Sequence, residues 1–445
     1  MGATSDLARF AVETDWRDLP ADVARATRRC VVNVLGVALH AAGDPSLEIL
    51  LRTFAAEGGA PRAAVWGTPL RVSLQQAALA NGYLAHLDDF DDTHFPTVLH
   101  PSAPAVPAAI ALAQAEGRTG EALLAAVALG IEVSCRVAVG VHPWHYDAGW
   151  HITGTAGVFG AAVAAGKLLG LDAAAMTTCL GIAGTQAAGV REVFGTMAKA
   201  LHAGRAAQCG VLAALLAAGG FSAPPAILEG RRGFGAVLSG RYDFERSTAG
   251  LGRNWEILNN GLKPYACGVV CHPLIDAARV LRERPGVRPE TVVAIEARVH
   301  PLVLELVDRP RIDSGLDGKF SVQHCLAAGL VDGAAGPAQF ETARVRDPRL
   351  ARLRGAVRLT RDDTLAEEEA IVRLVLADGQ SLEHHVAHAS GSPQNPLSDD
   401  DLNRKFRSLA GRTLPEERVA PLLDALWRLD TLDALPALDG RGPVA

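Results

Sequence analysis

The chain has 445 residues, more than one ordinary core accommodates, so two or three domains are expected. Hydrophobic residues make up 49% and charged residues 21%, a globular balance that excludes a disordered chain. A net charge of −6 with no basic stripe points away from nucleic acid.

Residues 1–9 lack a signal-peptide layout, and the apolar stretch 31–43 is too short for a bilayer and is broken by Asn33 and His40. No membrane span and a cytoplasmic location are the expectation. Helical pattern opens at residues 19–42, after a start signal at Pro20. It continues at 73–87, 107–115 and 120–139, at 154–169 and 173–189 around a hinge at Gly170, and at 196–218. Gly219, Gly220, Pro224 and Pro225 then break it. Beyond about residue 265 strands are expected at 291–299, 356–359, 368–377 and 381–387, with Asp378 and Gly379 as a hairpin turn. Helices at 273–284 and 321–332 are interleaved with them. Ser398 opens a helix with Asp399, Asp400 and Asp401 in its first turn, which suits the helix dipole, and 415–434 follows. Repeats and low-complexity tracts are absent, and 440–445 reads as a loose tail. The expected fold is mainly α: a large all-α helical domain from 1–265 and 398–445, plus a smaller α+β lid domain at 266–397.

Seven cysteines are scattered along the chain. Cys267 and Cys271 are four apart, but no second pair completes a zinc set, so free thiols are expected.

Five groups of residues carry chemistry. The first holds His86, Asp88, Asp89, Asp91, Asp92, Thr93 and His94, followed by His100 and Ser102. So many carboxylates repel one another unless a cation sits near. Residues 86, 89 and 93 would share one helix face. A solvated acidic turn is the bland alternative, and a Mg²⁺ site of the DDxDD type is a weaker one. The second holds His145 and His151 ahead of a glycine-rich helix start, where free backbone N–H groups can hold an anion. The third sets Lys199, His202 and Arg205 three residues apart on one helix, cheap only if they converge on an anion. Lys263 and His272 flank the change from helical to mixed character, where pockets favour domain boundaries. Lys319 and His324 open a helix further on. His384, His385 and His388 read as surface residues.

Taken in order, these motifs resemble the MmgE/PrpD family over nearly the whole chain. The blocks are Asp89 to Thr93, His100 to Ser102, Gly149 to His151, Gly195 to Met197, Lys199 with His202 and Gly204, Lys263 to Tyr265, His272 with Pro273, Lys319 to Ser321, and Asp401 with Lys405. The family includes 2-methylcitrate dehydratase, cis-aconitate decarboxylase and iminodisuccinate epimerase. The resemblance implies a homodimer and an interdomain site with no metal or organic cofactor. By motif, the decarboxylase's proposed site residues fall on Asp89, Thr93, His100, His151, Lys199 and Lys263, and its lid tyrosine falls on His324. The expected catalytic set is His151, His100, Lys199, Asp89 and His324. Thr93, Lys263, His202, Ser102, Arg205 and His272 are the expected substrate-binding set. The expected activity is a cofactor-independent, dehydratase-like lyase acting on a small di- or tricarboxylate. Epimerisation, decarboxylation and non-catalytic carboxylate binding are the alternatives.

Overall fold

The structure is a computed structural model and describes residues 2–438. The expected loose tail at 440–445 lies outside the described residues. Two hydrophobic cores organise the chain. The first gathers the helices Ala3–Glu13, Ala21–Ala41, Leu74–Leu87, Ser102–Glu116, Gly120–Val141, Gly157–Leu168, Ala173–Gly184 and Met197–Ala218. Leu402, Phe406 and Leu422, from the late helices Asp399–Ala410 and Glu416–Trp427, are buried in the same core.

The second core is α+β. Its four-stranded sheet runs in the order Val357–Arg361, Val292–Val299, Ala370–Leu376, Ser381–Val386. The first pair is parallel and the others antiparallel. Val292, Ile295, Ala297 and Val299 point inward while Glu296 and Arg298 face solvent, the period-2 alternation of a sheet covered on one side. The helices His272–Arg282, Val322–Asp332 and Pro348–Ala356 cover it. Gly379, at φ 87°, makes the tight turn between the last two strands that the Asp378–Gly379 pair signals.

Several boundaries differ from the sequence expectation. The helix placed at 107–115 starts at Ser102 and runs through Pro107, which sits buried on a helix whose first turn already holds Pro104. A proline is a start signal only when no earlier start exists. The stretch 154–169 is interrupted at Ala156, and 173–189 stops at Gly184. By length and composition alone, Gly120–Val141 and Met197–Ala218 are long and apolar enough to cross a bilayer. Both pack within the first core, and the former carries the buried Glu132–Arg136 ion pair. Arg136 also donates to the carbonyls of Ser247, Ala249 and Asn254.

Two features of the backbone position the site. Gly82 and Gly204 let the helices Leu74–Leu87 and Met197–Ala218 cross in near contact: a Cβ on Gly204 would lie 2.3 Å from the Leu79 carbonyl oxygen. A short antiparallel pair, Asp92–His94 with Asn260–Leu262, then places Lys263 beside the acidic run. No hydrophobic period announces strands this short. Gly204→Ala is expected to force the helices apart and to destabilise the fold by about 1–3 kcal/mol. Activity should fall further than stability, since Lys199 stands on the displaced helix. Urea titration and steady-state kinetics would check this, and an unchanged urea midpoint would contradict the close approach.

Candidate active site

The helix Leu74–Leu87 ends in a cap at Asp88, and the chain reverses through Asp89 at φ 52°. That is a left-handed conformation that aspartate tolerates better than most residues. Asp89 Oδ1 accepts from Lys199 Nζ at 2.9 Å and from Lys263 Nζ at 2.8 Å. Lys263 Nζ also donates to the Asp89 carbonyl at 3.1 Å. All three side chains are buried. Burial alone would raise the Asp89 carboxyl, but the two ammonium groups outweigh it and hold the group well below the carboxylate range. The lysines differ. Burial lowers Lys199, and Asp89 only partly offsets this. Lys263 is raised, because Asp89 and Asp91 together outweigh its burial. Asp89 Oδ2 is buried without a partner.

Three histidines crowd the same junction. Lys199 Nζ donates to His86 Nε2 at 2.9 Å, so His86 carries its proton on Nδ1 and donates to Asp91 Oδ2 at 2.7 Å. His100 Nδ1 donates to the Asp92 carbonyl at 2.5 Å, which leaves its Nε2 as a lone pair. Thr93 Oγ1 lies 3.3 Å from the same Nδ1. His151 Nδ1 shares a hydrogen bond of 2.9 Å with His202 Nδ1, and His151 Nε2 is buried with no partner. Burial first, then the neighbouring Lys199 charge, lowers His86 and pushes His151 well below the ordinary imidazole value. For His100, burial and then Lys263 do the same. Each is a neutral base at neutral pH.

Several of these groups line a small cavity between the two cores. Asp89, His100, His151, Lys199, Lys263 and Tyr146 form its polar side. Val269, Val270, Leu306, Val307 and Phe320, all from the α+β part, close it with Phe194 from the helical part. Its volume is about 40 Å³, room for roughly three waters. A groove of about 790 Å³ on the α+β part is far larger, but it is open and lined by residues such as Arg282, Glu283 and His388 with no buried donor set.

Three ties fasten the α+β part over the cavity. Lys319 Nζ donates to Asp88 Oδ1 at 3.1 Å and to the Leu87 carbonyl at 3.3 Å. Arg191 pairs with Glu305 at 2.5 Å and stacks on Tyr146, 4.3 Å from the ring centroid. Arg309 reaches the Phe194 carbonyl at 3.2 Å.

Imidazole nitrogens of His86, His100 and His151 lie within 4.8 Å of one another, a spacing that suits a metal. Their hydrogen-bonding does not suit one. Both His86 nitrogens are engaged, one of them by an ammonium, and a divalent ion there would face Lys199 and Lys263 at close range.

Of the residues singled out in the sequence, Asp89, His100, His151, Lys199 and Lys263 meet at the cavity. Thr93 and His202 stand behind it, orienting His100 and His151. Ser102 is bonded to Asp92 instead. Arg205 is exposed and pairs with Gln208 at 2.7 Å, because three-residue steps carry it round to the solvent side of its helix. His272 is buried in the second core against Tyr265. His324 does not face the cavity either. Its Nε2 donates to the Gln339 carbonyl at 2.9 Å, and its Nδ1 lies 3.4 Å from Arg354 Nη1, which can only donate. Burial lowers it to about 4. It is a neutral, hydrogen-bonded core residue of the α+β part, not a proton-transfer group. His324→Gln is therefore expected to change kcat by less than about tenfold, a barrier difference under about 1.4 kcal/mol. A larger loss in a well-folded variant would return His324 to the chemistry.

His86 and Asp91 belong to the first sequence group but to neither the expected catalytic nor the expected binding set, and Tyr146, Phe194 and Phe320 are site residues that the sequence reading missed. The aromatic residues carry no spacing signal.

The MmgE/PrpD N-terminal domain model matches residues 5–247, and the MmgE/PrpD C-terminal domain model matches residues 265–429. Cis-aconitate decarboxylase of Aspergillus terreus is 28% identical, covering 98% of this chain and 95% of the relative. The Mus musculus protein of that name is 28% identical over 92% of the chain and 87% of its own length. The Homo sapiens protein is 30% identical over 83% of the chain and 79% of its own length. With the two domain models together covering residues 5–247 and 265–429, the chain belongs to the MmgE/PrpD family.

Proposed function

We propose that this chain is a lyase that needs no organic cofactor and removes carbon dioxide from a small unsaturated tricarboxylate of the cis-aconitate type. The single observation that carries the reading is a near full-length likeness to cis-aconitate decarboxylases joined to a cavity in which two buried lysines face two neutral imidazoles. The sequence placed a dehydratase-type lyase first and a decarboxylase among the alternatives; the likeness to cis-aconitate decarboxylases favours the decarboxylase alternative.

The charge balance suggests how the cavity works. Lys199 and Lys263 are matched by Asp89 and Asp91, so an incoming polyanion meets a nearly neutral site. Its carboxylates raise the neighbouring imidazoles, and His100 and His151 take up protons as it binds. Loss of carbon dioxide breaks a carbon–carbon bond. The electron pair left behind is delocalised through the adjacent double bond toward a retained carboxylate. Lys199 and Lys263 stabilise that charge. An imidazolium, His151 or His100, then delivers the proton to carbon. The apolar wall of Val269, Val270, Leu306, Val307 and Phe320 strips water from the departing carboxylate. A tricarboxylate is larger than a cavity of about 40 Å³, so in this reading the α+β part acts as a lid whose ties through Lys319 and Arg191 open for entry.

The test is a panel of cis-aconitate, hydroxy-tricarboxylates and amino-dicarboxylates in D₂O, followed by NMR. Carbon dioxide release with one deuterium at a new C–H is expected, lost in His151→Ala and Lys199→Ala. Water loss from a hydroxy acid without carbon dioxide would replace the reading by a hydro-lyase. Binding without turnover of any member would leave a carboxylate-binding protein.

A further inference from the structure

Behind the apolar wall of the cavity lies a second group of residues that the proposed reaction does not use. Cys267, Cys271 and Cys325 are wholly buried, and their sulfurs lie within 4.8 Å of one another. Cys271 caps the N-terminus of the helix His272–Arg282, where the helix dipole favours a thiolate. Cys325 comes from the facing helix Val322–Asp332. The His272 imidazole lies against Cys267, and its Nε2 is buried with no partner.

We propose that Cys267, Cys271 and Cys325 form a three-thiolate site for a soft divalent cation of the Zn²⁺ type. Cys267 and Cys271 alone make half a zinc motif, and folding supplies the third sulfur from far downstream. Three thiolates suit a thiophilic, tetrahedral ion. Binding exchanges three S–H protons for one cation, leaving the three-thiolate unit with a single negative charge. Lys263 lies close enough to act on both Cys267 and Cys271, favouring charge on the sulfurs, while Asp89 opposes it at Cys271. Occupation would also clamp Gly268, Val269 and Val270, the cavity-lining residues between Cys267 and Cys271. The site is separate from the lysine–histidine cavity and stands whether or not the decarboxylase reading does.

The experiment uses the full chain, reduced and freed of metal by a chelator, titrated with Cd²⁺ and then Zn²⁺. One equivalent of Cd²⁺ should bind and produce a sulfur-to-metal charge-transfer band in the ultraviolet, and Zn²⁺ should raise Tm. Cys325→Ser and Cys267→Ser should lose both responses, while Cys179→Ser, outside the cluster, keeps them. Three findings would each overturn the proposal: a wild-type protein with no band and no Tm shift; an undiminished band in Cys325→Ser; or, on mild oxidation, a disulfide between two of the three cysteines in a protein that takes up no metal.

Discussion

Replacing Asp89 with asparagine is expected to destabilise the fold by about 3–5 kcal/mol, the usual cost of stranding buried charge. It should also lower turnover by about 100-fold or more. Asp89 Oδ1 is the shared acceptor of Lys199 and Lys263. Without the carboxylate, two buried ammonium groups face each other with only Asp91 nearby, 3.7 Å from Lys263. The cheapest relief is for Lys199 to lose its proton, since burial already lowers it. That gives the variant a signature beyond general damage. A lysine depressed in the folded state binds fewer protons there than in the unfolded chain, so stability rises with pH. The deficit of Asp89→Asn should therefore narrow between pH 7 and pH 9, as read from urea midpoints. An equal deficit at both values would mean that Asp89 acts through backbone conformation alone. Its φ of 52° makes that a real alternative, and asparagine tolerates the same conformation.

The way these residues meet explains what the sequence could reveal. Long helices such as Ala21–Ala41 and Met197–Ala218 have a clear apolar period, and the Asp378–Gly379 turn fixes the last hairpin. Asp89, His100, His151, Lys199 and Lys263 were legible as chemistry because buried charge is costly enough to be rare without a partner. Their geometry was not legible. Residues 86, 89 and 93 do not share a helix face, because the helix stops at Leu87 and the chain turns back at Asp89. Lys263 arrives through strands only three residues long. His324 misled for another reason. A motif match assigns a position, whereas its direction is set by the Gln339 carbonyl and Arg354, which the motif does not contain. Cys325 was unreadable as a partner of Cys267 and Cys271 because only the packing of two helices brings them together.

Acidification should unfold the protein over a range set by histidines rather than carboxylates. His142, His145, His202 and His324 are lowered to about 4, chiefly by burial. His86, His94, His100 and His151 are lowered for the same leading reason. A histidine depressed in the folded state is neutral in both states above about pH 6.5 and costs nothing there. Below that value the unfolded chain protonates first, so stability falls as pH falls, and for the four groups lowered to about 4 this loss continues until they titrate in the folded state. Each uncompensated group contributes about 1.4 kcal/mol per pH unit. Asp92, raised to about 6 by burial and by Asp91, works in the opposite direction, as do Glu132 and Glu367. The histidines outnumber them, so the urea midpoint should drop steeply between pH 6.5 and pH 4.5. A flat midpoint across that range would mean that these imidazoles are not held neutral. A bound polycarboxylate reverses the sign for His100 and His151 alone, because it favours their charged forms. The stabilisation given by such a ligand should therefore grow as pH falls toward 5, and it should grow less in His151→Ala. The proton that the cavity lacks when empty is then the one the substrate brings with it.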